Sequence, residues 1–410
     1  MRIKRVTCDV LNATSAAAAS CETAQDNALV EIESASGLVG WGEVESNPWV
    51  IKALIEAPGT NSFNQPLAHW FAGRECAHPT EAWDFLYEKT LITGRRGAGI
   101  CALGAVDMAL WDLLGKVCGQ PVWRMLAGDH APVRRAGELP VVTPYASLLP
   151  VGSTLAEYRD SMLDKALWAQ QAGFRAVKLE IMIRGPFAVN GLAASNNDMV
   201  ELVRVARAAL GPEMVLMVDV GYCWRDASEA AAVLRQMEAF NLFFIETPLR
   251  TDDLVGHARL AELTSIPIAA GELLQTRFEF EELMDRGKVK VVQPDVGRVG
   301  GITEAMRVVA LAQERGLLVV PHCWKTGLSI AATAHVAAVA QNCPFIEFLP
   351  AEVSESPLRR ELLETELELR AGRIELPDRP GLGVELNEAA RRRFRVDAPS
   401  PAMRRSEEFV

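Results

Sequence analysis

Two hydrophobic periods divide the chain. Over residues 1–45 apolar and polar positions alternate, in RIKRVTCDVLN and again in NALVEIESASGLVGWGEV, with Gly37, Gly40 and Gly42 as turn or bulge punctuation. A period of two predicts an antiparallel meander. The intervening TSAAAASCETAQD has neither period nor bulk, and residues 46–65 read as irregular too. Loops at about 14–25 and 46–60 are therefore expected, and two long loops on one small domain suggest a lid. From Glu81 the spacing turns helical, most clearly in ICALGAVDMALWDLLGKVCGQPVWRMLAG, which Gly119 and Pro121 bring to a stop. Helices following strands predict an α+β domain over residues 1–130.

From residue 140 short β-branched and apolar runs alternate with amphipathic segments such as LAEYRDSMLDKALWAQQAG. Strands are expected at 140–146, 174–180, 214–220, 242–247, 266–271, 289–294, 316–321 and 344–348, each followed by enough chain to return for a parallel neighbour. Eight such runs suit a closed α/β barrel over residues 131–350, with about 250 residues the usual size. The 181–198 stretch, rich in Gly, Asn and Pro, reads as a loop over one barrel face. Residues 351–398 read as helix, strand, turn and short helix returning to the first domain, and 399–410 as a tail.

Three of the barrel runs end in an acid: VLMVDVG at Asp219, LFFIETPL at Glu246 and IPIAAGELL at Glu272. Strand carboxyl ends converge in a barrel, so acids 27 and 26 positions apart become neighbours. Clustered carboxylates call for a cation, and their hard oxygens suit Mg²⁺, with Mn²⁺ as a substitute. The other strand ends carry Lys178, Glu180, Asp295, His322 and Glu347. Lys178 and Glu180, two apart on a strand, point to the same side. Asp295 and His322 end adjacent strands, where the carboxylate would fix the imidazole tautomer of a general base. Tyr145, Trp224, Trp324 and Lys325 lie beside these ends as candidate substrate contacts.

Composition narrows the partners. With 42 basic and 53 acidic residues the formal charge is −11, which argues against nucleic acid or an anionic membrane surface. The eight cysteines are scattered without a C-x-x-C pair, the N-terminus lacks an apolar signal core, and no run reads as a membrane span. A cytoplasmic protein acting on a small molecule is expected.

As a set, ALGAVDMALWDLLGK, the DVG, IETPL and GELL acids, QPDVGRVGGITEA, PHCWKTG and the closing LPDRPGLGVELN resemble the enolase superfamily, in its mandelate racemase-like branch that includes acid-sugar dehydratases. The resemblance spans nearly the whole chain. It implies a (β/α)₇β barrel under an α+β capping domain, completed by the C-terminal segment, and a homo-oligomer. It implies Mg²⁺ on Asp219, Glu246 and Glu272, a substrate carboxylate on that ion, the Asp295–His322 dyad as base, and Glu347 hydrogen-bonded to the bound carboxylate. One position departs from the family pattern of two lysines flanking one residue at the second strand's end: the second place is Glu180. Loss of that lysine base disfavours racemisation, whereas elimination needs one strong base, with Glu180 or protonated His322 as the acid. The expected activity is dehydration of a sugar acid to a 2-keto-3-deoxy acid. Cycloisomerisation or epimerisation of a related acid or lactone is the alternative, and a metal-binding barrel without turnover is the outside one.

Overall fold

The computed structural model describes residues 1–13, 26–128, 138–188, 192 and 194–397. The alternating N-terminal pattern folds as β1 (Ile3–Asn12), β2 (Asp26–Ser34) and β3 (Val39–Val44), an antiparallel sheet in that order. The helix Ala98–Cys118 packs against this sheet. Its approach is close because β3 carries glycine at two contact points: a Cβ on Gly40 or Gly42 would lie 2.1 or 2.0 Å from the backbone oxygen of Ala109 or Ala105. By length and composition alone this helix could cross a bilayer. It has 21 residues and a mean hydropathy of 1.5, yet 94% of its apolar window is buried within the protein, which makes it a core helix.

The expected loop at 46–60 is also corrected. Pro48–Glu56 is a helix whose first N–H groups, on Trp49 and Val50, donate to the Asn47 side chain. Proline at the first helical position and the buried pair Ile51 and Ile55 complete a local helix signal. The other expected lid loop, 14–25, residues 129–137 between the two domains, residues 189–191 and 193 of the 181–198 loop, and the 399–410 tail lie outside the described residues.

After β4 (Val141–Val142) come the barrel strands β5 (Pro144–Leu148), β6 (Ala176–Glu180), β7 (Val215–Asp219), β8 (Leu242–Glu246), β9 (Ile268–Ala270), β10 (Val291–Val292), β11 (Leu318–Val319) and β12 (Ile346–Phe348). Among the described residues they form one parallel sheet of eight strands running from β5 to β11 in chain order, with β12 paired back onto β5. That return of the last strand to the first is the mark of a curled, TIM-like barrel. The Val319 N–H donates to Asn342 O at 2.9 Å, tying β11 to the turn that leads into β12. The run expected as the first strand, 140–146, is divided: 141–142 joins another sheet and only Pro144 onward enters the barrel.

Alternation along the strands sorts two apolar populations. Tyr145, Ala176, Met217, Phe244, Ala269, Val291 and Val320 form a layer of their own inside the barrel, while Val177, Leu216, Ile245 and Val292 join the large core under the helices. The C-terminal segment supplies β13 (Leu363–Thr365), β14 (Leu369–Arg370), β15 (Arg373–Glu375) and β16 (Glu385–Leu386). β14 and β15 extend β4. The last helix, Glu388–Phe394, then docks on the N-terminal sheet, where Arg391 pairs with Asp9 at 2.7 Å and Glu31 at 2.8 Å.

Candidate active site

The same alternation that buries the inner layer delivers charge above it. Lys178 and Glu180 follow Ala176 at two-residue steps, Asp219 follows Met217, and Glu246 follows Phe244, so each of these side chains shares the inner face with an apolar residue one step below. Glu272, Asp295 and His322 come from the turns just past β9, β10 and β11. The polar ends meet at a cavity of about 330 Å³, which Lys178, Glu180, Asp219, Glu272 and His322 line together with Glu45, Tyr222, Arg298 and Trp324.

One ammonium holds the acids together. Lys178 Nζ lies 2.8 Å from both Glu246 and Glu347, 3.3 Å from Glu180 and 3.9 Å from Asp219. The remaining oxygens are aimed by fixed donors: Gln293 Nε2 to Glu246 at 2.6 Å, Ser147 Oγ to Glu180 at 2.8 Å, the Gly221 N–H to Asp219 at 2.9 Å, with the Thr247 hydroxyl on the same Asp219 oxygen. Tyr222 donates its hydroxyl to Glu272 at 2.5 Å. Ligand oxygens of Asp219, Glu246 and Glu272 lie within 4.8 Å of one another. At that separation two charges repel by roughly 3 kcal/mol at an effective dielectric of about 20. Accordingly burial, reinforced by the neighbouring carboxylates and opposed by Lys178, raises Glu246 to about 8 and also raises Glu180. Glu272 is raised too, chiefly by burial. Glu347 goes the other way: burial opposes ionisation, but Lys178 and His322 outweigh it and hold the group down at about 2.

His322 and Lys178 line the same cavity and both approach Glu347. His322 Nδ1 is 2.6 Å from Asp295, whose other oxygen accepts the Gly297 N–H at 2.7 Å. Its Nε2 faces Glu272 at 3.3 Å and Glu347 at 3.9 Å. Burial disfavours an imidazolium here, yet Glu347, Glu272 and Asp295 together raise the imidazole to about 10. The turn that follows is clamped by the N-terminal domain. Buried Glu43 of β3 accepts the N–H groups of Thr326 and Ser329 and the Thr326 hydroxyl at 3.1, 2.8 and 2.7 Å.

Among the expected substrate contacts, the structure places Trp324 at the cavity. Three others are corrected to packing positions. Tyr145 is fully buried in the inner layer beneath Lys178, whose ammonium lies 5.7 Å above its ring. Trp224 is buried, its indole N–H bonded to Asn196 Oδ1 at 3.0 Å, because Gly221 and Tyr222 both take positive φ, 52° and 60°, and turn the chain outward. Lys325 binds the backbone and side chain of Asp26 and ties the barrel to β2. Residues the sequence did not single out, Tyr222, Glu45 and Arg298, stand at the cavity instead.

Residues 3–127 match the family model described as mandelate racemase/muconate lactonizing enzyme, N-terminal domain, and residues 161–390 match the one described as enolase C-terminal domain-like. The chain belongs to the enolase superfamily, in its mandelate racemase/muconate lactonizing enzyme branch. Within the superfamily it is 32% identical to the arabinonate dehydratase of Saccharolobus solfataricus, over 87% of each chain. It is 30% identical to the D-galactarolactone cycloisomerase of Agrobacterium fabrum, over 90% of this chain and 92% of that one. A racemase from Streptomyces coelicolor A3(2), solved with bound magnesium, superposes with a TM-score of 0.79 at 25% identity, covering 96% of this chain and all of that one. The trio here fits such an ion. Its donors are all carboxylate oxygens, and the surplus of negative charge that raises Glu246 and Glu272 is what a divalent cation would relieve.

Proposed function

We propose that the protein is a Mg²⁺-dependent lyase, with Mn²⁺ able to substitute, that removes the proton α to the carboxylate of a sugar acid and expels the β-hydroxyl as water, giving a 2-keto-3-deoxy acid. The observation that carries this reading is one oriented base facing one buried carboxyl. His322 is fixed by Asp295, and Glu180 lies beside Lys178 in the same cavity. A racemase needs a strong base on each face of the α-carbon. Glu180, driven toward its neutral form by burial, is suited to give a proton.

Asp219, Glu246 and Glu272 would hold the ion, which supplies charge stabilisation for the second negative charge that builds on the carboxylate. Lys178 adds a fixed positive charge beside it. His322, neutral once the charge on Glu272 is offset, accepts the α-proton at Nε2, while the Nδ1–H, held by Asp295, favours the imidazolium so formed. The electron pair left at the α-carbon becomes the double bond to the β-carbon as the β-carbon–oxygen bond breaks. The departing hydroxide takes a proton from the Glu180 carboxyl and leaves as water. The resulting enol gains a proton at the β-carbon, loses the proton of its 2-hydroxyl and becomes the 2-keto group.

The dehydratase relative supports elimination, and the cycloisomerase relative keeps a second reading, in which the same α-proton is lost but no water is released. A library of sugar acids assayed with semicarbazide, alongside NMR in D₂O, separates them. Keto acid formation supports the lyase. Deuterium at the α-carbon without keto acid would move the reading to isomerisation, and Mg²⁺ binding with neither would make the protein a metal-binding barrel without turnover.

A further inference from the structure

We propose that the site selects monocarboxylic sugar acids with an uncharged, hydroxylated tail over the corresponding dicarboxylic acids, and that Glu45 makes the selection. The inference rests on the sugar-acid reading above and narrows its substrate class.

A second carboxylate, at the far end of a substrate whose first is bound by the metal cluster, needs a cation that is not already committed. Among the described residues lining the cavity, the permanent cations are Lys178 and Arg298. Lys178 spans Glu246 and Glu347 at 2.8 Å each. In Arg298 each guanidinium nitrogen is engaged: Nη2 with Glu45 Oε1 at 2.9 Å, Nε with Glu45 O at 3.4 Å, and Nη1 with Glu272 O at 3.2 Å. The sequence of residues 14–25 contains no Lys, Arg or His.

Glu45 follows β3 in the N-terminal domain, while Arg298 stands three residues after Asp295 in the barrel, so the pair closes the cavity from both domains. A ligand oxygen of Glu45 lies within 4.8 Å of those of Asp295 and of a ring nitrogen of His322. The wall beside the base is thus acidic. A substrate hydroxyl there donates to a carboxylate, a strong charge-assisted bond. A substrate carboxylate in the same place meets like charge, with the nearest arginine already neutralised. Removing the Glu45 charge releases Arg298 to bind that second carboxylate, so one side chain both favours the tail and opposes its oxidised counterpart.

The test uses the Mg²⁺-loaded protein and a matched pair of six-carbon probes, a 3,4-dideoxyaldonic acid and the 3,4-dideoxyaldaric acid of the same configuration. Neither has a β-hydroxyl to lose, so calorimetry reads binding alone. Wild type is expected to bind the monoacid at least about tenfold tighter than the diacid. In Glu45→Gln, and again in Glu45→Ala, that ratio is expected to fall by about fivefold or more, mainly through tighter diacid binding. Mg²⁺ affinity and thermal melting in the same samples verify that the variants are folded. Equal affinities in wild type, or a ratio unchanged in both variants, overturns the proposal while leaving the lyase reading in place. Binding of neither probe overturns both.

Discussion

The two ends of the barrel make a controlled comparison. At the amino ends of the strands lies a cavity of about 870 Å³, lined by Met214, Phe243, Ile266, Pro267 and Leu318, with Lys288 and Lys290 among its walls. At the carboxyl ends lies one of about 330 Å³. The larger has apolar walls without a converging set of acids, whereas the smaller gathers ionisable groups from β6, β7, β8 and β12 and from the turns after β9, β10 and β11 around one lysine. Volume is therefore a poor guide to chemistry in this fold. Convergence of strand carboxyl ends decides it, because every strand can present one inner-facing polar residue there without breaking the apolar layer below.

The sharpest way to break the comparison is to remove charge from the small end. Excess EDTA is expected to abolish activity, with Mg²⁺ or Mn²⁺ restoring it better than Zn²⁺. Glu246→Gln is expected to weaken Mg²⁺ binding by about tenfold or more by calorimetry, with melting little changed. Activity in EDTA equal to that with metal would remove the metal from the account. Asp295→Asn is expected to be milder, a loss of roughly 10–100-fold in kcat with a lowered basic-limb pKa, since the imidazole stays in place but loses the charge that orients it.

At the large end the effects should be on stability alone. Ile266→Ala, which truncates a buried side chain, is expected to cost about 2–5 kcal/mol in denaturant melts. The folded protein should keep its turnover. Lys290→Ala is expected to change neither stability by more than about 0.5 kcal/mol nor turnover. A large loss of turnover in either variant would mean that the amino ends take part in function.

A separate expected effect is a pH dependence of stability set outside both cavities. His335 is buried, accepting the Trp123 N–H at 3.0 Å and bonding through Nε2 to Leu382 O at 3.1 Å. Burial lowers it from 6.5 to about 4, against the pull of Leu382 O. A depressed folded value means that the neutral ring's contribution is complete above pH 6.5 and is lost as pH falls toward 4, about 3 kcal/mol in all. His335→Gln should flatten that slope in melts between pH 7 and 4.

What was legible in the chain follows from the same contrast. The acids at Asp219, Glu246 and Glu272 could be read because each ends a buried run, a local pattern. Glu45 and Arg298 could not, since their meeting depends on how one domain docks on the other, and nothing near either residue encodes it. Trp224 was placed beside the metal by nearness in sequence, but two positive φ values at Gly221 and Tyr222 rotate it away and bring Tyr222 in. The helix at 48–56 was missed although Asn47, Pro48 and the Ile51–Ile55 spacing spell it, because the polar and Pro-rich residues around it read as irregular chain. The barrel strands were placed with errors of a few residues at their ends, as at β5, where the division after Val142 has no counterpart in hydrophobicity.

The central claim is that one base, His322, initiates the chemistry. The direct measurement is α-proton exchange in D₂O, followed by NMR, with keto acid formation and Mg²⁺ binding measured on the same sample of His322→Asn. Loss of both exchange and keto acid with Mg²⁺ still bound is the predicted result. Retained exchange would contradict it, passing the role of base to Lys178 or Glu180 and leaving His322 as the acid that protonates the departing hydroxide.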